Sequence, residues 1–415
     1  MFTTFVTHLV AVLATIVSTA QTQPAADADY ANQTPYGNAA SSTIRQPPEG
    51  YRLRFVETVG RHGSRTLTSS ARERRSLAIW QRARKAGALT PTGRRLATDI
   101  EAFQVPERRI GYGNLSAIGT AEWQGIGRRT AEVYGSFLTE ATAAGDQVVF
   151  TTSPVQRTVE SADAMREGLE SVVPGLTVPD YVTDGPRLLI GNGASSAGNR
   201  ATQEVLTRPS VVAAATRVLE RLYSAAFVRE IDDPVAAALD LYLLYSTAPG
   251  MAADTRVTFR RYVPLADAKV LAEAVDGENF YQFGPGVAGE VSSYRAARPL
   301  LDDFFTSLDE RLAGGSTAAV FRLAHGETTM PFAALMKLPG SEVQASSTFS
   351  YATNPWRGSV AGRLGGSVEW AAYQDDSGQA LVTVRYDEQP VELSSRCTPT
   401  VRYFYRPAEL KRCLG

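Results

Sequence analysis

The chain has 415 residues, a formal net charge of −1 and 44% hydrophobic residues. That is enough apolar material for one large domain with an insertion, or for two domains. A balance this close to neutral excludes the global basic signature of a nucleic-acid binder, and no nucleic-acid partner is expected.

Residues 1–20 contain the apolar run 9–17 and end in Ser18-Thr19-Ala20, small residues of the kind that precede a cleavage site. The stretch reads as a secretory signal peptide, which predicts an extracellular or periplasmic protein. An uncleaved anchor is the alternative, but the run is shorter than the roughly 20 residues that span a bilayer. After cleavage no membrane association is expected. Residues 21–50, rich in Ala, Gln, Asn and Pro, read as an irregular arm.

Residues 53–59 have strand character, and Gly60 ends that run just before Arg61-His62-Gly63-Ser64-Arg65. Guanidinium groups favour planar, multidentate contact with phosphate oxygens. A histidine held among them can attack phosphorus or move a proton. A surface Arg/His loop is the plainer reading of this motif alone. Histidine usage argues against it: the chain has only His8, His62 and His325. His8 lies in the removable segment, and the other two each follow an apolar strand-like run. The second run covers 318–324 and leads into His325-Gly326-Glu327-Thr328.

After the first motif, Arg72, Arg74, Arg75, Arg82, Arg84 and Lys85 interleave with Leu77, Ile79, Trp80 and Ala83 at roughly helical spacing. This is either a solvated basic helix or a wall that attracts a polyanionic substrate. On the second reading Arg72, Arg74, Arg75 and Lys85 are possible substrate contacts. Thr90-Pro91 predicts a helix over 92–103. Residues 120–138 predict an amphipathic helix with Arg128, Arg129 and Glu132 facing water. A buried strand is predicted over 147–151, then a turn at Ser153-Pro154 and a helix opened by Arg157. An arginine there opposes the helix dipole, and a bound anion would compensate.

Between 185 and 298 strand signals are scarce. Helices are predicted at 213–228, 234–245 and 266–274, with 257–262 ambiguous. The core resumes with a helix over 298–312, the strand ending at His325, a helix over 331–337, and a strand hairpin of 367–373 and 381–386. Cys397 and Cys413 are the only cysteines. An even pair in an exported chain suggests one disulfide, closing a loop of about 15 residues worth about 3 kcal/mol. Two free thiols are the alternative. Metal-ligand spacing is lacking, and there is no Walker loop or dinucleotide fingerprint, so neither metal nor cofactor is expected.

Strands alternating with helices predict an α/β fold, a mostly parallel sheet with helices on both faces. Core segments are expected at 51–184 and 299–415, with a mainly helical insertion over 185–298. Ligands in such sheets bind beyond the carboxyl ends of the strands. Three strand ends carry Arg61, His62 and Arg65; Arg157; and His325 and Glu327. Three arginines, two histidines and one carboxylic acid suit phosphoryl transfer, where catalysis is mostly positioning and charge stabilisation.

Arg61-His62-Gly63-Ser64-Arg65 resembles the signature of the histidine phosphatases, whose core is phosphoglycerate mutase-like. His325-Gly326-Glu327-Thr328 resembles the His-Ala-Glu-Thr variant of the multiple inositol polyphosphate phosphatases. Thr34-Pro35-Tyr36, Leu115-Ser116-Ala117-Ile118-Gly119, Ser153-Pro154-Val155-Gln156-Arg157-Thr158, Asp387-Glu388-Gln389-Pro390-Val391 and the paired terminal cysteines are also similar to that branch. The resemblance implies that His62 attacks phosphorus and becomes a phosphohistidine. It implies that Arg61, Arg65 and Arg157 bind the transferred group, that His325 contacts it, and that Glu327 protonates the leaving oxygen. Two departures stand out. Leu67 occupies the place of a common family proline, and Gly326 stands where the branch has alanine. The expected activity is a secreted phosphomonoesterase acting on phytate or other inositol polyphosphates. A broad acid or sugar-phosphate phosphatase is the first alternative. A phosphate-binding protein without catalysis is the second, against which His62 and Glu327 argue. A phosphomutase is disfavoured by the signal peptide.

Overall fold

The computed structural model describes residues 30–37, 43–176 and 178–415, so the signal peptide and most of the N-terminal arm lie outside the described residues. In chain order, β1 (Arg52–Arg61) leads to α1 (Ala71–Lys85), α2 (Leu96–Ile110) and α3 (Ala117–Ala143). Next come β2 (Gln147–Thr152), α4 (Gln156–Glu170) and the short β3 (Val182–Thr183). A helical stretch follows, with α5 (Ser196–Leu206), α6 (Pro209–Glu220), α7 (Pro234–Thr247) and α8 (Leu265–Gln282). The chain returns through α9 (Arg298–Leu312) to β4 (Thr317–Ala324) and α10 (Gly326–Met336). It ends with β5 (Ser367–Gln374), β6 (Ala380–Tyr386), β7 (Gln389–Pro390) and α11 (Pro407–Leu414).

The seven strands form one sheet in the order β3-β2-β4-β1-β5-β6-β7. The first four run parallel, and the remaining three pair antiparallel. Period-two alternation of side chains feeds two cores. Phe55, Val59, Val320 and Ala324 point to one face, against α9, α10 and α11. Val56, Val148, Phe150, Phe321 and Leu323 point to the other, against α3 and α4. The register sets the site. Arg61 lies opposite Ala324, and Thr152 opposite Leu323, so β1, β2 and β4 deliver His62, Ser153 and His325 to one edge.

A third core gathers α5 to α8 with apolar residues from α1 and α2, including Ala83, Leu96, Ile100 and Phe103. Several local expectations change. The helix expected over 92–103 opens as a 3-10 turn at Gly93–Arg95 and continues to Ile110. The helix expected over 213–228 is broken at Arg221, with Ala225–Val228 a separate turn. Residues 257–262 form no strand. The helix after His325 starts at Gly326, five residues before Pro331, which lies inside it and takes one backbone hydrogen bond from its interior. Arg129 does not face water: it forks onto Glu388, 2.7 Å away. The described part of the arm is not loose either, since Tyr30, Ala31, Gln33, Thr34 and Tyr36 are buried. Cys397 and Cys413 form a disulfide that ties α11 back to the preceding loop. No helix among the described residues is long and apolar enough to cross a membrane.

Candidate active site

The first motif turns out of β1 under the start of α3. A Cβ on Gly63 would lie 2.6 Å from the Gly119 carbonyl oxygen, and one on Gly119 would lie 1.9 Å from that of Ser64. Only a glycine pair allows this approach. Trp123 of α3 packs beneath, donating from Nε1 to the Arg61 carbonyl at 3.2 Å. Glu122 fixes the loop by accepting from the Ser64 amide and hydroxyl and from the Tyr36 amide, at 2.7, 3.0 and 2.7 Å. The arm and the motif therefore share one buried carboxylate.

His62 is 1% exposed. Its Nδ1 lies 2.9 Å from the Gly63 carbonyl oxygen. A carbonyl only accepts, so Nδ1 carries the proton and Nε2 keeps its lone pair. Burial first, then Arg61, Arg65 and Arg157, together with His325, hold His62 well below the usual imidazole range, which leaves it neutral.

Arg61 donates to the carbonyls of Asn32 and Gly362. Arg65, at the end of the loop, donates to its neighbour Thr66 at 2.7 Å. Arg157 opens α4 and donates from an Nη to Nδ1 of His325 at 3.0 Å. All three guanidinium groups have their proton affinity lowered by burial, and Arg61 and Arg65 also by the neighbouring arginines. Glu327 is the carboxylate that acts on all three. Each also leaves a buried Nε without a hydrogen-bond partner among the described residues. Three crowded cations with donors to spare fit a tetrahedral oxyanion.

His325 is fully buried at the N-terminus of α10 and stands 5.6 Å from His62, ring centre to ring centre. Its Nε2 meets Ser153 Oγ at 2.8 Å. Burial and Arg157 push its pKa down to about 4. Glu327 lies in the first turn of the same helix. Burial raises its carboxyl, but Arg61, its own backbone amide, His325 and Arg65 outweigh that, and the net result lies below the usual range. A Cβ on Gly326 would come within 3.1 Å of the Arg61 guanidinium carbon, so the glycine gives Arg61 its room.

Arg61, His62, Arg65, Arg157, His325 and Glu327 thus meet at one place. The basic stretch of α1 behaves differently. Arg72 and Arg75 both bind Asp240 of α7, at 2.7 and 2.6 Å, and Arg74 bonds Ser70. Lys85 lies exposed at the far end of α1. Arg72 and Arg75 join α1 to α7, and no hydrogen bond or ion pair links any of the four to the motif among the described residues. Sequence reasoning missed Ser153, Glu122 and the carbonyls of Asn32 and Gly362. In the sequence Ser153 shows only as a turn residue within the Ser153–Thr158 resemblance, and Glu122 carries no signal beyond a carboxylate beside Trp123 on an apolar helix face. Among the described residues no group of His, Cys, Asp and Glu could hold a metal ion.

The family model described as histidine phosphatase superfamily, branch 2, matches residues 52–181. Over that segment, about a third of the chain, the sequence is similar to the histidine phosphatase superfamily. The multiple inositol polyphosphate phosphatase of Bifidobacterium longum, in complex with inositol hexasulfate, is 26% identical, covers 93% of this chain and 97% of its own, and superposes with a TM-score of 0.88. Its phosphate complex gives a TM-score of 0.87 at the same identity and coverage. The phytase from D. castellii shares the fold, with a TM-score of 0.69 at 13% identity over 94% of this chain and 84% of its own. No curated protein matches the chain. The Arg61–Arg65 motif sits in the matched segment, while His325 and Glu327 lie outside it, at the end of β4 and the start of α10.

Proposed function

We propose that this protein is a histidine phosphatase, an exported phosphomonoesterase that hydrolyses phytate or related inositol polyphosphates through a phosphohistidine. The observation that carries the reading is a neutral, buried His62 whose Nε2 lone pair is free, set among three arginines that leave donors unmatched. Nε2 attacks phosphorus, the bond to the leaving oxygen breaks, and Glu327 supplies the proton that oxygen needs. Glu327 then takes a proton from water as it attacks the phosphohistidine. Arg61, Arg65 and Arg157 hold the transferred oxygens and stabilise the charge that builds on them. The Bifidobacterium longum relative, named for inositol polyphosphates and bound to inositol hexasulfate, supports the substrate class. The helices of 185–298, with α1 and α2 in their core, form the cap over the site. The disulfide and the apolar leader support export.

Purified protein incubated with phytate should release inorganic phosphate, and His62→Ala should abolish release while circular dichroism stays unchanged. Turnover of simple sugar phosphates with none of phytate would move the assignment to the broader acid phosphatases. Substantial residual turnover by folded His62→Ala would remove the covalent mechanism.

A further inference from the structure

The strand-end turn at Ser153 holds a buried hydrogen-bond chain whose proton positions are fully determined. Ser153, Thr158 and His325 are each 0% exposed. Arg157 can only donate, so Nδ1 of His325 must accept from it at 3.0 Å. The ring is neutral, so its one proton sits on Nε2 and goes to Ser153 Oγ at 2.8 Å. Ser153 Oγ also accepts from the Val155 amide at 3.2 Å. Thr158 donates its own hydroxyl proton to the Val155 carbonyl at 2.7 Å, so at the 3.0 Å contact between the hydroxyls Ser153 donates and Thr158 accepts. Both lone pairs of Ser153 are then filled, and no other assignment avoids two N–H groups facing each other or a bare nitrogen facing a lone pair.

We infer that Ser153 is a positioning residue for the phosphoryl site: it fixes His325 as the Nε2–H tautomer, and His325 so fixed holds the Arg157 guanidinium by its Nδ1. The inference rests on Arg157 being a phosphate ligand. It gives His325 a task other than the direct contact with phosphate that the resemblance implies. With both ring nitrogens engaged, His325 aims Arg157. Arg157 makes no salt bridge among the described residues that could aim it instead.

Ser153→Ala leaves the Nε2–H without an acceptor in a buried site, which favours moving the proton to Nδ1 and turning the ring from Arg157. The test uses full-length protein labelled with [15N]histidine, together with calorimetric binding of inorganic phosphate and steady-state kinetics. Wild type should show His325 as Nε2–H. Ser153→Ala should show a mixed or inverted tautomer, phosphate binding weaker by about 10-fold, and KM raised more than kcat is lowered. The loss of one charge-assisted contact sets that scale. Ser153→Thr, which keeps the hydroxyl, should restore tautomer and binding. In an Arg157→Ala background, Ser153→Ala should add no further loss of phosphate affinity. An unchanged tautomer or unchanged phosphate binding in a folded Ser153→Ala protein would overturn the inference, as would additive losses in the double variant. Because phosphate binding needs no turnover, failure of the phytase assignment would leave this result readable.

Discussion

At the scale of single residues, the two histidines carry their protons on opposite nitrogens. His62 is Nδ1–H because it faces a carbonyl, and His325 is Nε2–H because it faces a guanidinium. The sequence announced both residues through their rarity and their place after apolar runs, but proton placement needs partners, and partners are tertiary. Glu327 presents the harder question. A general acid must be protonated, yet in the free site the arginines hold this carboxyl below its usual range. A bound phosphate dianion offsets those cations and must raise it. The alkaline limb of kcat, which reports the complex, should therefore lie at higher pH than the Glu327-linked limb of kcat/KM, which reports the free enzyme. His62 has the reverse requirement: it must be unprotonated, and its depressed pKa keeps it so into acid solution. Glu327→Gln should abolish that separation and slow phytate hydrolysis by about 10²-fold or more. The phosphoenzyme burst from p-nitrophenyl phosphate, whose leaving group needs little protonation, should fall much less. Equal losses in the two assays would leave Glu327 only a shaping role.

At the scale of elements, the loop after Arg65 shows how a departure from the family pattern is accommodated. Leu67 stands where a proline is common, so it brings an amide that needs an acceptor. Glu107 of α2 accepts it at 2.8 Å, while Thr66 is held by the carbonyls of Gly111 and Asn114. Glu107 in turn abuts Glu73 of α1, whose other oxygen accepts from Tyr112 at 2.7 Å. Burial, with Glu73 beside it, pushes Glu107 up to about 8, so Glu107 keeps its proton under the Arg65 loop at neutral pH. Glu107→Ala should cost about 1–3 kcal/mol in urea unfolding, the usual scale for a stranded buried donor, and should weaken phosphate binding. Glu107→Gln keeps an acceptor and should cost clearly less. Equal stability of all three proteins would show that the amide is satisfied another way. The strands and most helices were legible from periodicity, as were the turns that carry Arg61, Arg157 and His325. The Leu67–Glu107 bond was not, because it joins residues 40 positions apart. The basic face of α1 misled for a related reason: its partner Asp240 lies on a helix 168 residues from Arg72.

At the scale of the whole molecule, the same burial that builds the site sets how stability responds to pH. Asp276 of α8 is fully buried, and it accepts from Tyr351 Oη at 2.6 Å and the Gly358 amide at 2.7 Å. The turn it holds runs to Gly362, whose carbonyl takes Arg61. Burial pushes Asp276 up to about 7, against the opposing pull of those two donors and of Arg357, with Glu273 adding to the rise. Glu107 lies at about 8, and Glu57, buried beside Arg322, is raised in the same direction. Carboxyls raised in the folded state keep protons that the unfolded chain has released, so they lose stability as pH climbs towards their folded values. His62 and His325 act oppositely, because the unfolded chain protonates its histidines below about 6.5 while the folded protein does not. Below about 6.5 the two histidines offset at most two of the three carboxyls, so a smaller fall remains. Above it only the carboxyls still titrate, and each contributes a slope of about 1.4 kcal/mol per pH unit while its protonation differs between the states. Unfolding free energy should therefore fall gently from pH 5 to 6.5 and more steeply between 6.5 and 8. Asp276→Asn, a neutral isostere that can still accept both hydrogen bonds through its carbonyl oxygen, should flatten that fall. Urea melts across the range for both proteins decide the point: a wild-type curve that rises from 6.5 to 8, or an Asp276→Asn curve that falls as steeply, would show that Asp276 is ionised in the folded state throughout.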